Sequence, residues 1–125
     1  MFRVIVAGSR DFIDSGVCFE VLDKVFSKKM PDSVVCGKAR GADTLGAMWA
    51  VKHGVKVDEF PADWNRYGKS AGYLRNAEMA DNAEALVAFW DGTSRGTRHM
   101  INLAVDRGLQ VIVFNYLSKK FFKYQ

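Results

Sequence analysis

The sequence predicts an α/β fold: a single-domain, doubly wound three-layer sandwich on a five-stranded parallel sheet with strand order 3-2-1-4-5. Three observations predict it. Short runs rich in Val, Ile and Phe alternate with stretches whose apolar residues recur at helical spacing, from one end of the chain to the other. The runs are apolar on both faces, as strands covered by helices on two sides require. Finally, 125 residues suffice for one core and are too few for two.

The first strand, at about 3–7, contains Val4-Ile5-Val6-Ala7 and runs into the turn Gly8-Ser9-Arg10-Asp11. The helix that follows places Val17, Val21, Leu22, Val25 and Phe26 on one face, and Pro31 comes after its end. A second strand, 33–37, reads Ser33-Val34-Val35-Cys36 and passes into Gly37-Lys38-Ala39-Arg40-Gly41-Ala42-Asp43. In the next helix Leu45, Met48 and Trp49 share a face, and Gly54 supplies the stop. The third strand, 55–60, leads into a long polar segment and a less apolar helix at about 70–82. The fourth strand, 85–90, is Ala85-Leu86-Val87-Ala88-Phe89-Trp90, followed by Asp91-Gly92-Thr93-Ser94-Arg95-Gly96-Thr97. A helix with Met100, Ile101, Ala104 and Val105 on one face ends before Gly108, and a fifth strand fills 110–115. The domain thus spans 1–116, and residues 117–125 form a basic, aromatic C-terminal tail.

Three strands ending in glycine-bearing turns define the expected site. Right-handed crossovers bring such turns to the C-terminal edge of a parallel sheet, where ligands of open α/β sheets bind. Glycines allow close backbone approach, Ser and Thr add donors, and the first free N–H groups of a helix carry partial positive charge. A phosphate suits such a place. Arg10, Arg40, Arg95 and Lys38 are expected on the same rim. In the polar segment, Trp64 and Tyr67 are candidates to stack on a base, Asp63 to accept from ribose or a base edge, and Arg75 and Asn76 to reach a phosphate.

Other chemistries are disfavoured. Gly8-Ser9-Arg10-Asp11 is not G-x-G-x-x-G, and no G-x-x-x-x-G-K-[ST] occurs, which argues against an ordinary dinucleotide cofactor and against ATP or GTP hydrolysis. Cys18, Cys36, His53 and His99 lack metal-ligand spacing. Asp11, Asp63 and Asp91 all follow strands, but ribose recognition or turn capping explains each, so neither metal nor cofactor is expected. The two cysteines read as reduced thiols, Cys36 with a basic neighbourhood able to lower its pKa and a buried apolar role as the simpler account. No run approaches membrane-span length and no signal-peptide pattern opens the chain, so a cytoplasmic protein without a membrane partner is expected. The net charge of +4 suits anionic partners.

The ordered motifs Gly8-Ser9-Arg10-Asp11-Phe12, Gly37 to Asp43, Phe60-Pro61-Ala62-Asp63-Trp64, Gly72-x-x-Arg75-Asn76-x-x-Met79 and Gly92-x-Ser94-x-Gly96-Thr97 resemble the YspA-like branch of the SLOG superfamily over residues 4–114. The resemblance implies a Rossmann-like fold, a nucleotide-derived ligand and a homo-oligomer. It also implies activities ranging from signal sensing to cleavage of a base from its ribose phosphate, and in one branch single-stranded DNA binding. The branch commonly has a glycine where Lys38 stands. The phosphoribohydrolase relatives pair an Arg, matched by Arg75, with a Glu just beyond the last turn, where this chain has His99.

A His supplies no negative charge to an oxocarbenium-like transition state, although it can serve as a general acid. Glycosidic cleavage would draw its carboxylate from Glu78, Asp63 or Asp91. The leading expectation is therefore a module that binds a nucleotide or nucleotide-derived small molecule, its phosphates on the 8–11, 37–43 and 92–97 turns. A nucleotide N-glycosidase or ribosyl transferase using Arg75 with Asp63, Glu78, Asp91 or His99 is the alternative, and a single-stranded nucleic-acid binder using the basic rim and tail is the second.

Overall fold

The computed structural model describes residues 1–124. Strands β1 (Arg3–Gly8), β2 (Ser33–Cys36), β3 (Lys56–Glu59), β4 (Ala85–Trp90) and β5 (Gln110–Asn115) run parallel, and β6 (Lys120–Tyr124) pairs antiparallel with β5. They form one sheet in the order β3-β2-β1-β4-β5-β6. The expected order 3-2-1-4-5 therefore stands, and the five-stranded, all-parallel sheet is corrected to a six-stranded mixed one.

The extra strand comes from the segment read as a tail, whose last residue, Gln125, lies outside the described residues. Asn115 makes the reversal. Its backbone carbonyl accepts from Lys119 at 2.7 Å, and its side-chain Oδ1 accepts from the N–H groups of Leu117 and Ser118 at 3.0 and 3.1 Å. Lys119 takes the left-handed conformation, φ 60°, that a glycine or asparagine ordinarily signals in a hairpin, so the sequence carries no glycine to announce the turn. Phe121 then settles on Phe114, ring centroids 4.8 Å apart.

Five α-helices connect the strands: α1 (Ser15–Val25), α2 (Ala42–Lys52), α3 (Trp64–Tyr67), α4 (Ala71–Asp81) and α5 (Arg95–Asp106). The period-2 alternation of β1 divides the core. Val4 and Val6 pack with Leu22, Leu45 and Trp49 from α1 and α2, whereas Ile5 and Ala7 pack with Met79, Met100 and Ile101 from α4 and α5. Trp49 is fully buried, and its indole N–H donates to Asp23 at 2.9 Å, so the core's largest side chain has its polar atom satisfied. The polar segment after β3 is partly helical: α3 and a 3₁₀ turn at Gly68–Ser70 precede α4. Asp63 caps α3 by accepting from Arg66 N–H at 3.1 Å, and no residue of that short helix is buried.

Both cysteines are buried, free thiols. Burial pushes the Cys18 thiol up to about 12. Burial also raises Cys36 and outweighs the opposing effects of Lys38, so the basic turn does not produce a reactive thiolate there.

Candidate functional site

Because β1 leads leftward to β2 and β4 leads rightward to β5, the chain leaves a crevice above the C-terminal ends of β1 and β4. A cavity of about 350 Å³ lies there. The β1 turn contributes Gly8, Arg10 and Asp11, the β2 turn Ala39, and α2 Asp43. Ser94, Gly96 and Thr97 form the side at the start of α5. One face of α4 supplies the remaining wall, since Gly72, Tyr73, Asn76 and Met79 recur at helical spacing, with Trp64 and Lys69 at the mouth.

A second cavity of about 430 Å³ adjoins it over the β2 turn. Gly37, Lys38 and Arg40 lie on one side, Pro61 and Ala62 on the other, and Arg10, Ala39, Trp64 and Arg75 border both cavities. Lys38 holds the left-handed φ of 57° and Gly41 a φ of 76°, so this turn folds back tightly before α2 begins.

A polar network ties the turns together. Arg75 donates through Nη1 to the Gly37 carbonyl and through Nε to Asn76 Oδ1 at 3.1 Å. That second bond fixes the Asn76 amide, whose Nδ2 then faces Gly96 O at 3.3 Å and His99 Nδ1 at 3.1 Å. His99 Nδ1 must accept, which makes the imidazole neutral, and burial accordingly lowers the His99 pKa. Tyr73 meets the His99 ring edge-on at 4.5 Å.

Asp43 is the buried carboxylate of this network, 4% exposed, and accepts from Gly37 N–H at 3.2 Å. Burial drives its pKa up to about 6, against the Arg75 charge and the N–H groups of Ala39, Gly37 and Gly8, which pull it down. Burial also lowers the Arg75 pKa; Asp43 opposes that shift, and Arg10, a like charge across the cavity, adds to it.

Several residues nominated from sequence lie elsewhere. Asp91 turns back to accept from Thr93 and Ser94 N–H at 2.8 Å each. Partial burial tends to raise its carboxyl, yet those donors win and hold it below the usual range. Asp63 caps α3, Glu78 is exposed on α4, and His99 faces Asn76 and Tyr73; none of the three borders either cavity. Gly92, Thr93, Arg95 and Tyr67 likewise border neither. Ser9 is buried and acts through its backbone, donating to Phe89 O at 2.9 Å and accepting from Ala42 N–H at 3.3 Å. Sequence reasoning missed Lys69 and Tyr73 as wall residues. The signal for Tyr73 was its spacing from Asn76, once 71–81 is read as a helix. Among the described residues no cluster of His, Cys, Asp or Glu is arranged to hold a metal, and no helix is long and apolar enough to cross a membrane.

Comparison with known proteins agrees with this architecture. The family model described as the YspA, cpYpsA-related SLOG family matches residues 2–67. The Gene 61 protein of Mycobacterium phage D29 is 38% identical over 123 residues, covering 91% of this chain and 97% of that protein. Among solved structures, the X-ray structure of DNA processing protein A (DprA) from Streptococcus pneumoniae superposes with a TM-score of 0.69 at 17% identity, over 90% of this chain. At that identity the likeness is one of fold, and the matched region is 49% of the DprA chain, so this chain spans about half its length.

Proposed function

The chain belongs to the YspA, cpYpsA-related SLOG family, and from that premise we propose that it binds a nucleotide or nucleotide-derived small molecule at the C-terminal edge of the sheet. Membership suggests a nucleotide-related ligand. The observation that carries the reading is the composition of the crevice between β1 and β4. Arg10 and Lys69, neither with a carboxylate partner among the described residues, share it with the Ser94 and Thr97 hydroxyls and the helix-start backbone of Gly96 and Thr97. A phosphate placed against α5 gains backbone N–H donors and the two cations together. Trp64 and Tyr73, both about half exposed, offer faces for a base, and Asp11 is an acceptor for ribose hydroxyls.

Asp43 favours a second reading, hydrolysis of the N-glycosidic bond. It borders the cavity beside Arg75, and a carboxyl with a pKa of about 6 is divided between its acid and base forms near neutral pH. This replaces Glu78, Asp63 and Asp91 as the source of the carboxylate.

One experiment separates the two. The protein is incubated with a mixed panel of nucleoside mono-, di- and triphosphates, cyclic nucleotides and ADP-ribose-type compounds, and bound and free fractions are read by mass spectrometry. Retention of one compound, unchanged and near stoichiometric, supports binding. Loss of a compound with appearance of its free base supports hydrolysis. Retention of nothing and turnover of nothing overturn both.

A further inference from the structure

The two adjoining cavities bear on how large the ligand is. We propose, resting on the nucleotide-binding reading above, that the complete site takes a dinucleotide, with one nucleotide unit in the crevice between β1 and β4 and the second over the Gly37–Gly41 turn. Each cavity alone sits near the lower end of ligand-site volumes, roughly 300–1,000 Å³, at about 350 and 430 Å³. They are not independent, because Arg10, Ala39, Trp64 and Arg75 border both.

Charge is distributed as a bridging ligand requires. No carboxylate borders the second cavity, while Arg10, Lys38, Arg40 and Arg75 all do. Lys38 alone of these has an ion-pair partner among the described residues, an exposed contact to Glu59 at 3.6 Å that contributes little. Arg10 and Arg75 both border the junction of the two cavities, so a phosphate linking two nucleosides there meets two guanidinium groups. The second cavity also has an apolar side, Pro61, Ala62 and the face of Trp64, against which a second base can lie. Trp64 is at the junction and half exposed, and is positioned to contact both units.

Binding of AMP, GMP, CMP and UMP is compared by isothermal titration with that of the corresponding 5′-phosphorylated dinucleotides, such as pApA, and of oligonucleotides of about twelve residues. At least one dinucleotide is expected to bind about tenfold or more tightly than its mononucleotide, a gain of about 1.4 kcal/mol. The Lys38→Ala, Arg40→Ala double variant is expected to bring that ratio towards unity. A mononucleotide that binds as well as its dinucleotide overturns the second unit and leaves the nucleotide-binding reading standing. A ratio unchanged in the double variant also overturns it. Affinity that keeps rising from dinucleotide to twelve-mer, with a steep salt dependence, overturns it in favour of a single-stranded nucleic acid. Failure of every mononucleotide and dinucleotide to bind overturns the dinucleotide site, and the underlying reading falls with it only when the wider nucleotide panel is not retained either.

Discussion

Arg75 and Gly37, thirty-eight positions apart in sequence, meet through a hydrogen bond from the guanidinium Nη1 to the main-chain carbonyl at the end of β2. The contact leaves no room for a side chain. A Cβ on Gly37 would run into Arg75 Nη1 and lie 2.9 Å from Asp43 Oδ2. Gly37→Ala is therefore expected to lower stability by about 1–3 kcal/mol, the usual cost of overpacking. Urea denaturation checks this, and Arg75→Ala in the same background should recover part of the loss. A single variant as stable as the parent would show that the two groups are not in contact.

Asp43 should titrate late. Its carboxyl carbon, followed by NMR, is expected to show a midpoint at about 6, and Arg75→Ala should move that midpoint higher because the cation favours the ionised form. The folded value lies above the ordinary aspartate value of 3.8, so the stabilising contribution is fully present below that value and is lost as pH rises through about 6. A midpoint near 4 would show the carboxyl to be solvated.

Asp91 carries the opposite sign. Its carboxylate accepts from two N–H groups ahead of α5, and Asp91→Ala is expected to cost about 0.5–2 kcal/mol at neutral pH. Since folding lowers its pKa, the contribution is present above the unfolded value and disappears as pH falls through the folded one. Thermal denaturation of parent and variant should therefore converge in acid. A gap that does not narrow as pH falls would point to a cause other than the charge.

Lys38 pays for a left-handed backbone at φ 57°. The strain is worth about 1–2 kcal/mol, and the greater freedom of glycine in the unfolded chain returns roughly 0.4–1 kcal/mol of it. Lys38→Gly is accordingly expected to raise stability by up to about 1.6 kcal/mol, measured by urea midpoint. A net loss would mean that the exposed pair with Glu59 contributes more than such pairs ordinarily do.

Gly96 distinguishes stability from binding. It sits in the first turn of α5 with open space where a Cβ would be, so Gly96→Ala should stabilise the helix by up to about 1 kcal/mol. The added methyl projects from a residue that borders the crevice, and affinity for the nucleotide retained from the panel should fall. Equal affinity in parent and variant would remove the phosphate from this turn.

The alternation of apolar runs with helically spaced ones was enough to predict five parallel strands, because burial periodicity is local, and right-handed crossovers then gather the three turns at one edge; the order 3-2-1-4-5 is one doubly wound arrangement, which pairing between distant segments realises. Arg10, Ser94, Gly96 and Thr97 were legible for the same reason, since each follows a strand or opens a helix, whereas Arg75 and Asn76 stand in the middle of α4 and were named from their polar segment. Tertiary structure alone decided which carboxylates are buried at the crevice and which cap local turns. Asp63 and Asp91 hydrogen-bond their own neighbours two or three residues on, whereas Asp43, in the first turn of α2, is buried by elements distant in sequence, and burial, unlike capping, leaves no local signature. The sixth strand was hidden likewise, since its turn uses Lys119 rather than glycine and its pairing rests on Phe121 reaching Phe114 across the sheet.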